Sequence, residues 1–310
     1  MAEAMPRARL NSGAAASMVL LCALWALQQI AVKLALAGGV PPVLQVGLRS
    51  VIAGILVFGW SLLQEGGQLG RVLRVDATVR PGLVLGVIFA VEFAIAYVGF
   101  ALTSAAHGVL FFYTAPFFTA LGAHLLVPGE RLDGRRATGL AVAFAGVAIA
   151  FAGGKAGGTL LGDALCLVAA ALWGACNIVM RTSPALMRAP PGRVLLLQLG
   201  FSAPILLALS FGMGEWGRLG SPSAMAVAGV AYQGVVVAFA TYLAWYWLVQ
   251  RFPVGTLSGF TFLTPVFGAL FGALFLGESL GVATLAGLAC VAAGLCLLNA
   301  KRGNGRPTRA

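Results

Sequence analysis

Hydrophobic residues fill this chain in runs of about 20, and the polar positions gather in the short breaks between them. A helix of about 20 apolar residues spans the hydrocarbon core of a bilayer. The strict alternation over about 10 residues that marks a membrane β-barrel strand is missing throughout. The breaks predict ten helices, at about 14–36, 43–63, 82–102, 106–127 and 135–153, then 160–180, 193–213, 224–249, 254–276 and 281–299. Connections such as Gly38 to Pro42, Glu65 to Pro81 and Gly129 to Arg136 are rich in Gly, Pro and charge. They leave no room for a soluble domain.

One stretch of this pattern occurs twice. From Thr114 to Ala150, and again from Thr264, an early proline in an apolar run leads to a Gly-Glu turn, then to a glycine, then to a second apolar run. The matches are Pro116 with Pro265, Glu130 with Glu278, Gly139 with Gly287, and Gly146 with Gly294. The offset is 149 before the turn and 148 after it, with Pro128 as the inserted residue. Upstream, Leu24-Trp25-Ala26 leads to Lys33 as Leu172-Trp173-Gly174 leads to Arg181, again 148 residues apart. Two distant stretches at one offset mark a duplication. The halves are 14–153 and 160–299, with tails at 1–13 and 300–310. Five helices is an odd number, so the halves are expected to enter the membrane in opposite directions, as an inverted repeat around a central cavity.

Composition sharpens the class. Only 9% of the 310 residues are charged, against about 25% in soluble domains. The formal charge of +11 would suit nucleic acid in a soluble chain. Here the basic residues sit in connections and show no basic face or recognition module, so nucleic acid is excluded as a partner. With the N-terminus inside, Arg71, Arg74, Arg80, Arg131, Arg135, Arg136, Arg181, Arg188, Arg193, Arg251 and the basic residues of both tails all fall on one side. Only Lys33, Lys155 and Arg218 fall on the other, and Arg49 lies within a helix. This asymmetry places both termini in the cytoplasm. Arg7 and Arg9 before an apolar run resemble a signal peptide, but the run is too long, holds Gln28 and Gln29, and has a counterpart in the second half. It reads as the first transmembrane helix. All five cysteines lie in apolar runs without metal spacing, and His107 and His124 are isolated, so no metal site and no cofactor is expected.

The doubled Pro to Gly-Glu to Gly pattern, with Trp25 and Lys33, Leu48-Arg49-x-x-x-Ala53 and Ala101-Leu102, resembles the EamA-type transporters of the drug/metabolite transporter superfamily over essentially the whole chain. The resemblance implies ten helices in two five-helix repeats and export of amino acids, their derivatives or other small metabolites, with drugs or nucleobases in some members. It also implies a multi-pass protein of the bacterial inner membrane. This sequence departs from a symmetric pattern where Phe201 or a neighbour stands at the position equivalent to Arg49.

Polar groups within the runs are the candidate chemistry. Glu92, near the middle of the third helix, is costly in lipid unless paired or wet. It reads as a proton- or cation-coupling site, as a partner for a substrate amino group, or as a structural partner of Arg49. Arg49, by its match to the family pattern, reads chiefly as a structural clamp on helix ends or carbonyls, with substrate contact as the lesser reading. Gln28 and Gln29 match Cys176 and Asn177 by position and are expected to meet near the pseudo-twofold axis, reading a zwitterion or joining helices. Tyr97, Tyr113, Tyr242 and Trp245, with Trp25 and Trp173 of the matched segments, are cavity candidates. Tyr246 and Trp247 suit an interfacial belt. Pro116 and Pro265 are expected to bend two helices that gate. Gly268 and Gly272 suggest close packing, which serves a homodimer or internal contacts equally.

The expectation is therefore a secondary transporter, not an enzyme, that takes a small-molecule substrate through the lipid bilayer by alternating access, with a proton as candidate coupling ion. No phosphate-binding loop for nucleotide hydrolysis is present. Uptake of a vitamin or nucleobase is the alternative, and a membrane-embedded enzyme would need more Asp, Glu, His or Cys at one face than this chain carries.

Overall fold

The computed structural model describes residues 10–103, 108, 111–151, 159–276 and 282–299. The side chains of Gln29 and Lys33, and of several residues at 150–151 and between 269 and 299, lie outside it. So do His107 and Glu278, and with Glu278 the second Gly-Glu turn.

Among the described residues every regular element is helical. We number them α1 Ser12–Ala37, α2 Pro42–Gln64, α3 Val79–Leu102, α4 Ala115–Leu126, α5 Gly134–Phe151, α6 Leu160–Thr182, α7 Pro191–Gly212, α8 Ala224–Arg251, α9 Val254–Phe260, α10 Leu263–Leu276 and α11 Val282–Asn299. Six of these (α1, α2, α3, α6, α7 and α8) are long and apolar enough to cross a membrane. Their starts carry the expected signals. Asn11, Thr159 and Ser223 accept hydrogen bonds from Ala14, Gly162 and Ala226 at 2.8–3.1 Å, and Pro42 and Pro191 open α2 and α7. Gly39, at φ +88°, makes the turn out of α1. Leu20, Ile55, Leu63, Leu125 and Leu274 are each at least 60% exposed, as a lipid-facing surface requires.

Two expected helices are broken. Instead of one helix over 106–127, the chain turns at Tyr113–Thr114 and restarts at Ala115; instead of one over 254–276, it turns at Thr261–Phe262 and restarts at Leu263. Pro116 and Pro265 sit in the first turns of the new helices, where a missing N–H costs nothing. Thr114 and Thr261 donate instead to the carbonyls three residues back, Phe111 and Ser258, at 3.2 and 3.0 Å. The prolines thus begin segments at matched positions; they do not bend continuous helices. A third irregularity, a π-helical stretch over Gln233–Thr241 in α8, was not expected.

Glycine lets the helices close up. A Cβ on Gly139 would meet the Gly294 carbonyl at 2.9 Å, and one on Gly146 the Gly287 carbonyl at 2.6 Å. Those contacts make α5 and α11 antiparallel. Gly47 packs on Leu207 and Gly54 on Leu199, so α2 and α7 are antiparallel too. The Phe89–Tyr242 and Tyr97–Gln233 contacts do the same for α3 and α8. Gly268 gives no such contact, since a Cβ there meets nothing within 4 Å, and the surroundings of Gly272 lie outside the described residues. Among the described glycines, close backbone approach is found at the α5–α11 seam.

Candidate functional site

A cavity of about 280 Å³ opens between α1, α3, α4, α6 and α8. Trp25, Trp173 and Tyr242 form its floor. Its walls rise along Gln28 and Val32 on one side and Phe93, Tyr97 and Phe100 on the other, with Phe112 and Tyr113 closing the gap. It ends at Leu36, Pro42 and Ala101, at the helix ends far from the arginine-rich connections. Leu36 and Ala101 are exposed there. We call the other extremity, which carries Arg71, Arg74, Arg131 and Arg181, the basic end.

The floor is an aromatic lattice in which two of the indole N–H groups are hydrogen-bonded. Trp25 meets Trp173 and Trp245 edge-on at 6.2 and 5.7 Å between centroids, and Trp173 meets Tyr242 at 6.4 Å. Such pairs each add about 0.5–1.5 kcal/mol beyond burial. Trp25 Nε1 donates to Thr241 Oγ1 at 2.9 Å, and Trp245 Nε1 donates to Asn177 Oδ1 at 3.2 Å. The π-helical stretch matters here, because it carries Gln233 and Thr241 at its two ends. Tyr97 Oη donates to Gln233 Oε1 at 3.2 Å, and Gln233 Nε2 donates to Gln45 Oε1 at 2.8 Å.

Of the residues expected at the site, Trp25, Gln28, Tyr97, Tyr113, Trp173 and Tyr242 line this cavity. Trp245 and Asn177 lie one layer below, around a small void with Phe89 and Tyr246. Gln28 and Asn177 do not join across an axis. Gln28 stands beside the Tyr97 hydroxyl, while Asn177 holds Trp245 and donates to the Trp173 carbonyl at 3.1 Å. The Gln29 side chain is outside the described residues.

Glu92 and Arg49 are both fully buried behind the cavity wall. Glu92 Oε2 accepts weakly from Cys176 Sγ at 3.8 Å, and its Oε1 has no hydrogen-bond partner. Arg49 feels the charge of Glu92 but forms no ion pair with it at contact distance, and none of its three guanidinium nitrogens makes a hydrogen bond. The expected clamp on helix carbonyls is therefore not made. Its guanidinium instead lies over the Phe93 ring, 4.1 Å from the centroid. Tyr246, expected in the interfacial belt, is buried and hydrogen-bonded to Gln198 at 2.5 Å. Trp247 does sit at the rim, 43% exposed under the Arg251 guanidinium.

At the basic end a buried ion pair that sequence reading missed ties four elements together. Arg181 donates through Nε and Nη2 to Glu130 Oε1 at 3.0 and 2.5 Å and through Nη1 to the Val249 carbonyl at 2.5 Å. The Gly255 N–H reaches Glu130 Oε2 at 3.3 Å. This joins α6, α8, α9 and the turn after α4, with both side chains at most 4% exposed. The signal was available: Glu130 belongs to the repeated Gly-Glu turn, and Arg181 is the repeat match of Lys33. Nearby, Arg193 at the start of α7 donates to Thr78 and to the carbonyls of Val72 and Arg74. Burial opposes ionisation of Asp76 in the same knot. Hydrogen bonds from Thr78 and Arg74 and the Arg193 charge outweigh it and hold the carboxyl down, at about 2. A wider hollow of about 630 Å³ lies at this end between α1, α2, α7 and α8, lined by Trp60, Arg71, Arg74 and Trp247, and touches none of the expected site residues.

Comparison with known proteins agrees with this architecture. The EamA-like transporter family matches twice, over residues 13–152 and 160–300. The "Uncharacterized transporter YvbV" of Bacillus subtilis (strain 168) is 27% identical over 174 residues, 56% of each chain, so this chain spans about half the length of that curated relative. A solved crystal structure superposes with a TM-score of 0.75 over 94% of this chain and 99% of its own, at 20% identity, which speaks for the fold alone. With the family matched over nearly all of its length, in both halves, the chain belongs to the EamA-like transporter family.

Proposed function

We propose that this protein is a secondary transporter that moves amino acids or related small metabolites out across the bacterial cytoplasmic membrane by alternating access. In this reading ten transmembrane helices form two inverted five-helix repeats, 14–153 and 160–299, and α9 with α10 counts as one broken helix. The antiparallel course of α2 against α7, α3 against α8 and α5 against α11 supports the inversion. So does the crossing of the matched glycines: Gly139 packs on Gly294 and Gly146 on Gly287, the exchange a twofold axis imposes on residues whose repeat partners are Gly287 and Gly294.

The observation that carries the function is a cavity accessible from one end and sealed at the other by the buried Glu130–Arg181 pair. That is one of the two states alternating access requires, with the basic end closed and facing the cytoplasm by its charge. Tyr97, Trp173 and Tyr242 would hold the substrate, and the breaks before Pro116 and Pro265 would act as hinges for the two-way movement. Glu92, buried without a contact cation, is the group best suited to carry a coupling proton.

The test is flux into proteoliposomes with an imposed pH gradient, using labelled amino acids, nucleobases and cationic drugs, wild type beside Glu92→Gln. Saturable flux of one class that loses its pH dependence in Glu92→Gln supports the reading. Equal pH dependence in both removes Glu92 from the mechanism, and saturable uptake of nucleobases alone favours the importing alternative.

A further inference from the structure

The most costly unexplained feature of the molecule is Arg49. Its guanidinium is fully buried at the level of the cavity, and none of its three nitrogens reaches an acceptor with hydrogen-bond geometry, the Tyr242 hydroxyl being the one polar group that approaches it. A cation in that position needs a counter-charge or strong acceptors, and the Phe93 ring supplies only the electrostatic part of that need. Glu92 helps from a distance and is turned towards Cys176. A structural arginine would be saturated, as Arg181 and Arg193 are in this same fold by carbonyls and a carboxylate. The contrast says that the acceptors of Arg49 come from outside the chain.

The route to it is short. Phe93, the ring that covers the guanidinium, lines the cavity itself, so one side chain separates Arg49 from the space that opens to the outer end. Tyr97 and Tyr242 flank the same spot, and the Tyr242 hydroxyl approaches the guanidinium. A ligand that displaced the Phe93 ring would meet a planar, two-pronged donor with two phenol hydroxyls beside it. That is the geometry carboxylates fit.

We propose that Arg49 is the anion-recognising residue of the central cavity, and that the substrate is a small amphipathic monocarboxylate, free or zwitterionic, whose apolar part rests against Trp25, Trp173 and Phe100. This rests on the reading of that cavity as the substrate site. Among the described lining residues there is no Lys and no Arg, so a single guanidinium must serve the whole anion. One cation with Glu92 near it suits a single negative charge and rejects a phosphate dianion. The remaining walls are aromatic or aliphatic apart from the polar tips of Gln28, Thr261 and the three tyrosines Tyr97, Tyr113 and Tyr242, which selects an apolar body of modest size.

The test uses matched pairs on the full-length protein in nanodiscs: 3-phenylpropionate against 3-phenylpropionamide, and leucine and phenylalanine against their amides. Cationic amines and nucleobases serve as further classes. Binding is read from quenching of the tryptophans around the floor and checked by calorimetry. The wild type is expected to bind each acid about ten- to a hundredfold more tightly than its amide, as loss of a charge-assisted hydrogen-bonded pair implies. Arg49→Gln is expected to erase that ratio, and Arg49→Lys to keep part of it. The wild-type ratio does not depend on whether the variants fold. Amides that bind as tightly as acids would overturn the role of Arg49 and leave the cavity a small-molecule site. Binding confined to amines or nucleobases would do the same. Binding of no class at all would overturn both this inference and the transport reading beneath it.

Discussion

The Glu130–Arg181 pair offers the sharpest perturbation. Both partners are nearly fully buried, and they join α6 to the turn after α4 and, through Gly255 and Val249, to α9 and α8. Removing one partner of a buried ion pair leaves an uncompensated charge and costs about 3–5 kcal/mol. In Glu130→Gln that charge is Arg181, which recovers its hydration only if the basic end opens. The perturbation therefore weighs against the closed state, and at about 1.4 kcal/mol per tenfold it raises the open fraction by roughly a hundred- to a few thousandfold until opening saturates. Ala123, 2% exposed beside Glu130, is a suitable reporter when replaced by Cys in a protein whose native Cys290 and Cys296 are Ser. Labelling by a membrane-impermeant maleimide from the basic side should be slow with the pair intact and faster by about two orders of magnitude or more in Glu130→Gln. The double variant Glu130→Gln/Arg181→Gln removes the stranded charge, so its labelling rate should fall between those of Glu130→Gln and the parent. Equal rates in parent and single variant, with both proteins monodisperse and thermally intact, would refute the pair as a closure.

Three further outcomes follow from the packing and the loops. Gly146→Ala pushes a methyl to within 2.6 Å of the Gly287 carbonyl and 2.7 Å of the Val291 nitrogen, so it should cost about 1–3 kcal/mol and lower the melting temperature, whereas Gly268→Ala, with open space around it, should not. Asp76 titrates at about 2 when folded, below its ordinary 3.8, so its contribution is present above about pH 4 and lost as pH falls through 2. The stability gap between wild type and Asp76→Asn should accordingly be constant from pH 5 to 7 and close on acidification, as followed by thermal unfolding. Pro116→Ala gives up a residue already shaped for the first turn of α4, where its missing N–H costs nothing, so it should lower the melting temperature slightly, by the equivalent of about 0.4–1 kcal/mol, as followed by thermal unfolding.

Much of the fold was legible because membrane helices announce themselves through length and hydropathy. The predicted ends of α2, α3 and α6 to α8 fall within three residues of those observed. The breaks at Tyr113–Thr114 and Thr261–Phe262 were not read, because a proline within a long apolar run is equally compatible with a bend, and only packing decides between bend and restart. The cavity was legible where aromatic residues stand out, Trp25 and Trp173 through the repeat and Tyr97 and Tyr242 through the density of aromatics on their helices. The Glu130–Arg181 closure was not, because the two residues are 51 positions apart and each also had a simpler explanation, one as a turn residue and the other as a topology charge. Gln233 was missed for a related reason: its place at the cavity depends on the π-helical register of α8, which no period in the sequence foretells.

The central claim is that solute crosses only if the basic end can open in alternation with the outer end. It can be tested with one cross-link. A Cβ built on Gly255 lies 3.9 Å from the Ala120 Cβ, the separation a disulfide needs. Ala120→Cys/Gly255→Cys would therefore tie α4 to α9 beside Glu130 with little distortion. The measurement is flux in proteoliposomes of a solute the wild type carries, before and after oxidation and again after reduction. The account predicts that the oxidised protein still binds the solute from the outer side but carries none of it, and that reduction restores flux. Undiminished flux through a fully cross-linked protein would contradict it.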